Sequence, residues 1–170
     1  MRVRLLSAAV LVVGLTLAAP AAATTVLRLD GIGPLHLGMT RSAALGTGWL
    51  ADRSTGCELA GPPLPITYRF TGAKAPAGIA GIAEFHGNRL RGLSFTRGVR
   101  TSFGVTVRRT RTSRMVARYR QVGFKASARF DETFQGTFVT VRRNGDEVLG
   151  GFGEHGIVTI LAIPAVPVCE

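Results

Sequence analysis

The stretch Gly33-Pro34-Leu35-His36-Leu37-Gly38-Met39-Thr40-Arg41 is echoed seventy positions later by Gly104-Val105-Thr106-Val107-Arg108-Arg109-Thr110-Arg111, with Pro34 falling on Gly104, Leu35 on Val105, Leu37 on Val107 and Thr40 on Thr110. Each copy sets two apolar residues at alternating positions, then a turn, then a Thr whose hydroxyl can accept from the free N–H groups that open a helix. A helix is therefore expected from each Thr. Ala43 and Ser113 stand where a Glu or Gln would close a reciprocal capping box, so each start rests on the Thr alone. Two such starts mark an internal repeat, and the fold is read outward from them.

Upstream of the first copy, Arg2 and Arg4 precede an apolar run from Leu5 to Leu17, and small residues from Ala18 to Ala23 surround Pro20. This is the pattern of a secretory signal peptide cleaved near Ala23. The apolar run is short for a hydrocarbon layer of about 30 Å, though an uncleaved anchor is the alternative. The mature chain, 24–170, has no second long apolar segment and is long enough for one domain with its own core. A secreted or extracytoplasmic address follows. Cys57 and Cys169 are the two cysteines of the whole chain, and an even count in an oxidising compartment reads as one disulfide. Free thiols or an intermolecular bond are the alternatives. Their spacing, with no His or Cys beside them, fits no metal site.

The formal net charge of +11 falls by two when Arg2 and Arg4 leave with the signal. The excess is local. Between Glu84 and Asp131 no acidic residue occurs, while Arg89, Arg91, Arg97, Arg100, Arg108, Arg109, Arg111, Arg114 and Arg118 lie in that window with Arg120, Lys125 and Arg129. Such a field suits an acidic protein, an anionic envelope polymer or phospholipid headgroups. Simple solvation is the competing account, since 19 of the 21 basic residues are Arg, the mark of GC-rich coding. Nucleic acid is not expected, because no aromatic platform is interleaved with the arginines and the chain reads as exported.

Along the chain, Val26 to Leu29 reads as a strand, and the helix after Thr40 is weakened by Gly46 and Gly48. Asp52 to Gly61 reads as a polar loop. Ile66 to Thr71 alternates as a half-buried strand, and Ile79 to Phe85 with Leu90 to Phe95 form a hairpin around His86-Gly87-Asn88-Arg89. The second helix, Arg111 to Val122, carries Met115, Val116, Tyr119 and Val122 on one face and ends at Gly123. Lys125 to Phe130, Thr137 to Arg142 and Glu147 to Phe152 are strand candidates. Gly156 to Ile163, apolar on both faces, reads as a central strand. The two hairpins align Phe85, Leu90 and Leu93 with Phe152, Ile157 and Ile160, an offset of 67. The expected class is α+β: two units, 24–100 and 101–170, each a helix plus three antiparallel strands, joined into one sheet with the helices on one face.

The Gly38-Met39-Thr40 turn opening a helix before a hairpin sheet, twice over in a small exported chain, resembles the secreted beta-lactamase inhibitory proteins and the related fold of the outer-membrane assembly lipoprotein. The resemblance implies one curved sheet surface used to grip a partner. It departs in having one Cys in each copy rather than a disulfide within each, and in a binding face not expected to be rich in aromatics.

For chemistry the chain offers His36, His86 and His155. His86 and His155 occupy corresponding hairpin turns near Glu84 and Glu154, where a shared metal or acid-base site is conceivable and solvated loop residues are the simpler account. No Gly-x-Ser-x-Gly, His-Glu-x-x-His or phosphate loop occurs, and Gly150-Gly151-Phe152-Gly153 lies between strand candidates without the helix of a dinucleotide site. The sequence thus reads as a monomeric, non-enzymatic binding or inhibitor-like module with no cofactor. An envelope protein docked on anionic polymer or lipid is the alternative, and a hydrolase the second.

Overall fold

The structure, a computed structural model, describes residues 24–57 and 62–168; the expected signal peptide and Cys169 lie outside them. The chain opens with three short strands, β1 (Thr25–Leu27), β2 (Gly31–Ile32) and β3 (Leu35–His36), and the helix α1 (Arg41–Gly46). A meander of β4 (Ala51–Thr55), β5 (Ile66–Arg69), β6 (Ala80–His86) and β7 (Arg89–Arg97) follows. After β8 (Val99–Thr101) and helix α2 (Thr112–Gln121) comes a second meander, β9 (Lys125–Asp131), β10 (Gly136–Arg143), β11 (Asp146–Glu154) and β12 (Ile157–Ile163).

The two meanders form one eight-stranded sheet in the order β4-β5-β6-β7-β12-β11-β10-β9. They meet where β7 and β12 pair antiparallel, Phe95 opposite Leu161 and Leu93 opposite Ile163. The short strands make a second sheet, β3-β2-β1-β8, in which β1 and β8 run parallel. Because strand side chains alternate, one face of the large sheet carries Ala83, Phe85, Leu90, Leu93, Phe95, Val139, Val141, Leu149, Val158, Leu161 and Ile163, all buried. Against this face pack the small sheet, through Leu27, Ile32, Leu35 and Val99, and the helices, through Ala44, Met115 and Tyr119. The ring of Tyr119 meets Phe103 and Phe124 edge-on. Gly151 leaves room for α2: a Cβ there would stand 2.9 Å from Met115 Sδ.

This architecture overturns the expected α+β class of two helix-plus-three-strand units. The described residues are 49 % strand and 11 % helix, with sheets of four and eight strands, so helix is a minor partner. Part of the difference is β4, where a loop was expected. Its residues Asp52 to Thr55 are all exposed on an edge, so no buried face imprints a period on them. The strand expected over Glu147 to Phe152 is β11, which runs through the glycine-rich stretch to Glu154. The small sheet is a further addition, built from the segments that precede the two Thr turns.

Two local expectations also shift. Thr40 caps α1, its Oγ1 accepting from Ala43 N at 3.3 Å. Thr110 instead accepts from Thr106 N at 2.9 Å, closing the turn before the helix, and α2 starts one residue later with Arg111 as an N-cap that makes no side-chain bond. The hairpin alignment is off by one residue. Gly38 N donates to Leu90 O and Arg108 N to Val158 O, so Leu90 answers to Val158 at an offset of 68. The offset of 67 would pair core residues with residues of the opposite face, which a one-residue slip in a strand always does.

Candidate functional site

Among the described residues no helix covers the other face of the eight-stranded sheet. Arg91, Ser94 and Thr96 of β7 point there, as do Thr67 and Arg69 of β5 and Ile82 and Glu84 of β6, each alternating with a core residue. Strand registers resolve this face into transverse rows. One runs Arg129–Phe138–Phe152–Ile160 across β9 to β12. The next runs Ser127–Thr140–Gly150–Ala162–Ser94–Ile82–Arg69 across seven strands.

The first row is aromatic in its middle. Phe138 and Phe152 are direct cross-strand partners with ring centroids 4.9 Å apart, and Phe134, from the β9–β10 turn, meets Phe138 at 5.6 Å and nearly perpendicular. Gly136 leaves space for the Phe152 ring, whose tip would stand 2.2 Å from a Cβ at that position. Sequence reasoning missed these rings, since it expected a binding face not rich in aromatics. The signal was present in β10, where Val139 and Val141 take one face and Phe138, Thr140 and Arg142 the other. The row ends on Arg129, held by Asp131 at 3.1 Å, and at Ile160, which borders Thr96, Arg97 and Arg108.

In the second row the central side chains are small, and the C-terminal segment lies in the resulting trough. Val166 stands over Gly150, and residues 164–168 separate two concavities. On the β4–β7 side is an open hollow of about 820 Å³ lined by hydroxyls of Ser54, Thr67, Thr71, Ser94 and Thr96, by Arg69 and Arg97, and by Glu84. It continues under the tail into a smaller cavity with His86 and Arg91. On the β9–β11 side a hollow of about 340 Å³ is lined by Phe134, Phe138, Arg129, Asp131 and Glu147. Partial burial pushes the Glu147 carboxyl above its usual range, against the pull of Arg142.

The nine arginines singled out in the sequence do not form one patch. Arg91, Arg97 and Arg108 line cavities of the open face. Arg114 and Arg118 belong to α2 and Arg111 is its N-cap, on the core side, where Arg118 donates to Gly104 O. Arg89 donates to Gly38 O at 2.9 Å beside the β6–β7 turn, Arg100 lies in β8 and Arg109 in the turn before α2. Among the described residues none of these nine makes an ion pair; the arginines that do are Arg28 and Arg129.

The histidines are not brought together. His86 Nε2 sits 2.7 Å from Glu84 Oε1 at one hairpin tip, while His155 is exposed at the other. Antiparallel pairing of β7 with β12 puts these tips at opposite ends of the sheet, on the order of 30–40 Å apart at about 3.3 Å per residue. His36 lies near Asp30, 3.9 Å away. Among the described residues no cluster of three or more His, Cys, Asp or Glu could hold a metal ion. No helix there is long and apolar enough to cross a membrane. Cys57, at the rim of the larger hollow, is not a free thiol. Compared with family models, curated proteins and solved structures, the chain matches none.

Proposed function

We propose that this chain is a secreted, non-enzymatic binding or inhibitor-like module that grips a partner protein on the open face of its eight-stranded sheet. The observation that carries the reading is the Phe134–Phe138–Phe152–Ile160 row, aromatic at its middle and bordered by Arg129 at one end and Arg97 and Arg108 at the other. Phe134 and Phe138 are partly buried over the buried Phe152, and aromatics with arginines around them are the composition of interface hot spots, because they bring large rigid area and multidentate donors at low entropic cost. The hollows beside the row are wide and open, and among the described residues no hydroxyl is hydrogen-bonded to their His86–Glu84 pair. Such a site offers recognition rather than bond-making. The test is capture of a partner from the envelope and medium of the secreting cell, with Phe138→Ala as the discriminating variant.

A second reading is electrostatic docking on an anionic envelope polymer through Arg109, Arg111 and Arg114. These are exposed, and they lie in the stretch between Glu84 and Asp131 that contains no acid. This reading predicts release from the envelope by salt alone, since screening at about 8–10 Å weakens exposed charges. Neutralising Arg111 and Arg114 would abolish it while leaving Phe138→Ala without effect.

A further inference from the structure

Arg108 occupies a backbone conformation that its side chain does not favour. Its φ is 60°, in the left-handed region. The other non-glycine residues found there are Asp52, Asn144, His155 and Gln135; the first three are types that tolerate this region. The corresponding turn of the first half shows what the backbone alone asks for. There Gly38 has φ 84°, and its N–H donates to Leu90 O at 2.8 Å just as Arg108 N–H donates to Val158 O at 2.7 Å. Glycine serves that role without strain, yet the second turn holds an arginine.

What the arginine adds is a positioned guanidinium. Nε donates to Thr96 O at 3.0 Å, which fixes the plane and leaves the Nη edge free, and Arg108 forms no ion pair among the described residues. Arg108 lines a cavity of about 290 Å³ with Thr96, Glu154, Ile157, Thr159 and Ile160. Thr96 and Ile160 also line the large hollow, so this cavity continues the aromatic row and the open face. Strained residues persist where the surroundings enforce them and their side chain is used. A guanidinium held by Nε presents two parallel N–H donors, the geometry that receives a carboxylate. Glu154 lines the same cavity, and its negative charge would weaken that attraction.

We infer that Arg108 is an anchor of the binding face, its free guanidinium edge receiving a carboxylate side chain of the partner protein. The inference rests on the partner-binding reading of that face. Its test uses acetyl-Glu-Glu-amide as probe, followed by NMR at the Arg108 Nε–Hε resonance and, in every variant, at the backbone amides of Thr96 and Ile160, together with thermal unfolding. The dipeptide should shift that resonance in the millimolar range. Arg108→Gly should weaken dipeptide binding about tenfold or more. Glu154→Gln should tighten it. Relief of backbone strain should make Arg108→Gly melt higher than wild type, by roughly 3 °C. No shift at Arg108, or binding unchanged in Arg108→Gly, overturns the inference. A lower melting temperature for Arg108→Gly also overturns it, in favour of a structural brace to Thr96. Weaker binding in Glu154→Gln overturns it too, since an anion seated at Arg108 gains when the neighbouring negative charge is removed. A dipeptide effect lost in Arg108→Gly, with no partner captured by the whole protein, would retain the carboxylate site and reject the wider reading instead.

Discussion

Val166 lies directly over Gly150: a Cβ on this glycine would stand 2.6 Å from Val166 N and 3.1 Å from Ala165 C. The trough Ser94–Ala162–Gly150 is therefore a seat for the C-terminal segment, and small side chains in the middle of the sheet make it. Gly150→Ala should force the segment off and cost about 1–3 kcal/mol, as overpacking does. Gly151→Ala should cost less, because its new Cβ would meet the flexible end of Met115 rather than backbone. Gly46→Ala, with open space around it, should be neutral or stabilising by up to about 1 kcal/mol. Denaturant unfolding of the three variants checks this order.

Tyr119 should give the fold an alkaline limit. It is fully buried, its hydroxyl meets no hydrogen-bond partner of good geometry among the described residues, and burial pushes its pKa up from 10.0 to about 12, with Thr101 beside it offsetting part of the shift. The folded state thus holds the phenol proton more tightly than the unfolded chain. Stability from this group is complete below pH 10 and is lost as pH rises from about 10 to about 12, on the order of 2–3 kcal/mol in all. Tyr119→Phe should flatten that decline without loss of stability at neutral pH, because it removes an orphaned hydroxyl. Unfolding followed between pH 8 and pH 12 decides the matter.

Glu147 should act in the same direction at the acid end. Its folded pKa is raised from 4.5 by burial, so its contribution favours the folded state below that value and is lost as pH rises through the folded pKa. Glu147→Gln should therefore be at least as stable as wild type at pH 7. A clear loss of stability there would mean that the attraction of Arg142 outweighs the desolvation.

Cys57 lines the same hollow as Pro167, two residues before Cys169 in the chain. The expected bridge between the two cysteines predicts an intact mass lighter by two hydrogens than the reduced chain. It also predicts a lower melting temperature in reductant; closing a loop of about 100 residues is worth about 4.7 kcal/mol in the chain-entropy account. Alkylation of both thiols without reduction would contradict the bridge.

Strands with a clear inside and outside were legible in the sequence. Ile66 to Thr71 and the hairpin around Gly87 alternate because one face meets the core, and Ile157 to Ile163, apolar on both faces, sits at the centre of the sheet between β7 and β11. Elements without a buried face were not legible. β4 is an exposed edge, and the glycines of β11 are dictated by Val166, Met115 and Thr112 pressing from both sides, which no local pattern reveals. The candidate site was less legible than the fold. Arginines were counted by position along the chain, whereas the sheet sends Arg97 and Arg108 to one side and Arg111 and Arg114 to the other. Phe138 and Phe152 face each other only because β10 and β11 pair in this register.

The most direct test of the binding-face account is capture at physiological salt from the envelope and medium of the secreting cell. It compares wild type with Phe138→Ala and Arg114→Ala, each first shown to unfold at the wild-type temperature. The account predicts a partner protein recovered by wild type and by Arg114→Ala and lost with Phe138→Ala. Recovery of nothing by wild type, or a partner kept by Phe138→Ala and lost with Arg114→Ala, would contradict it.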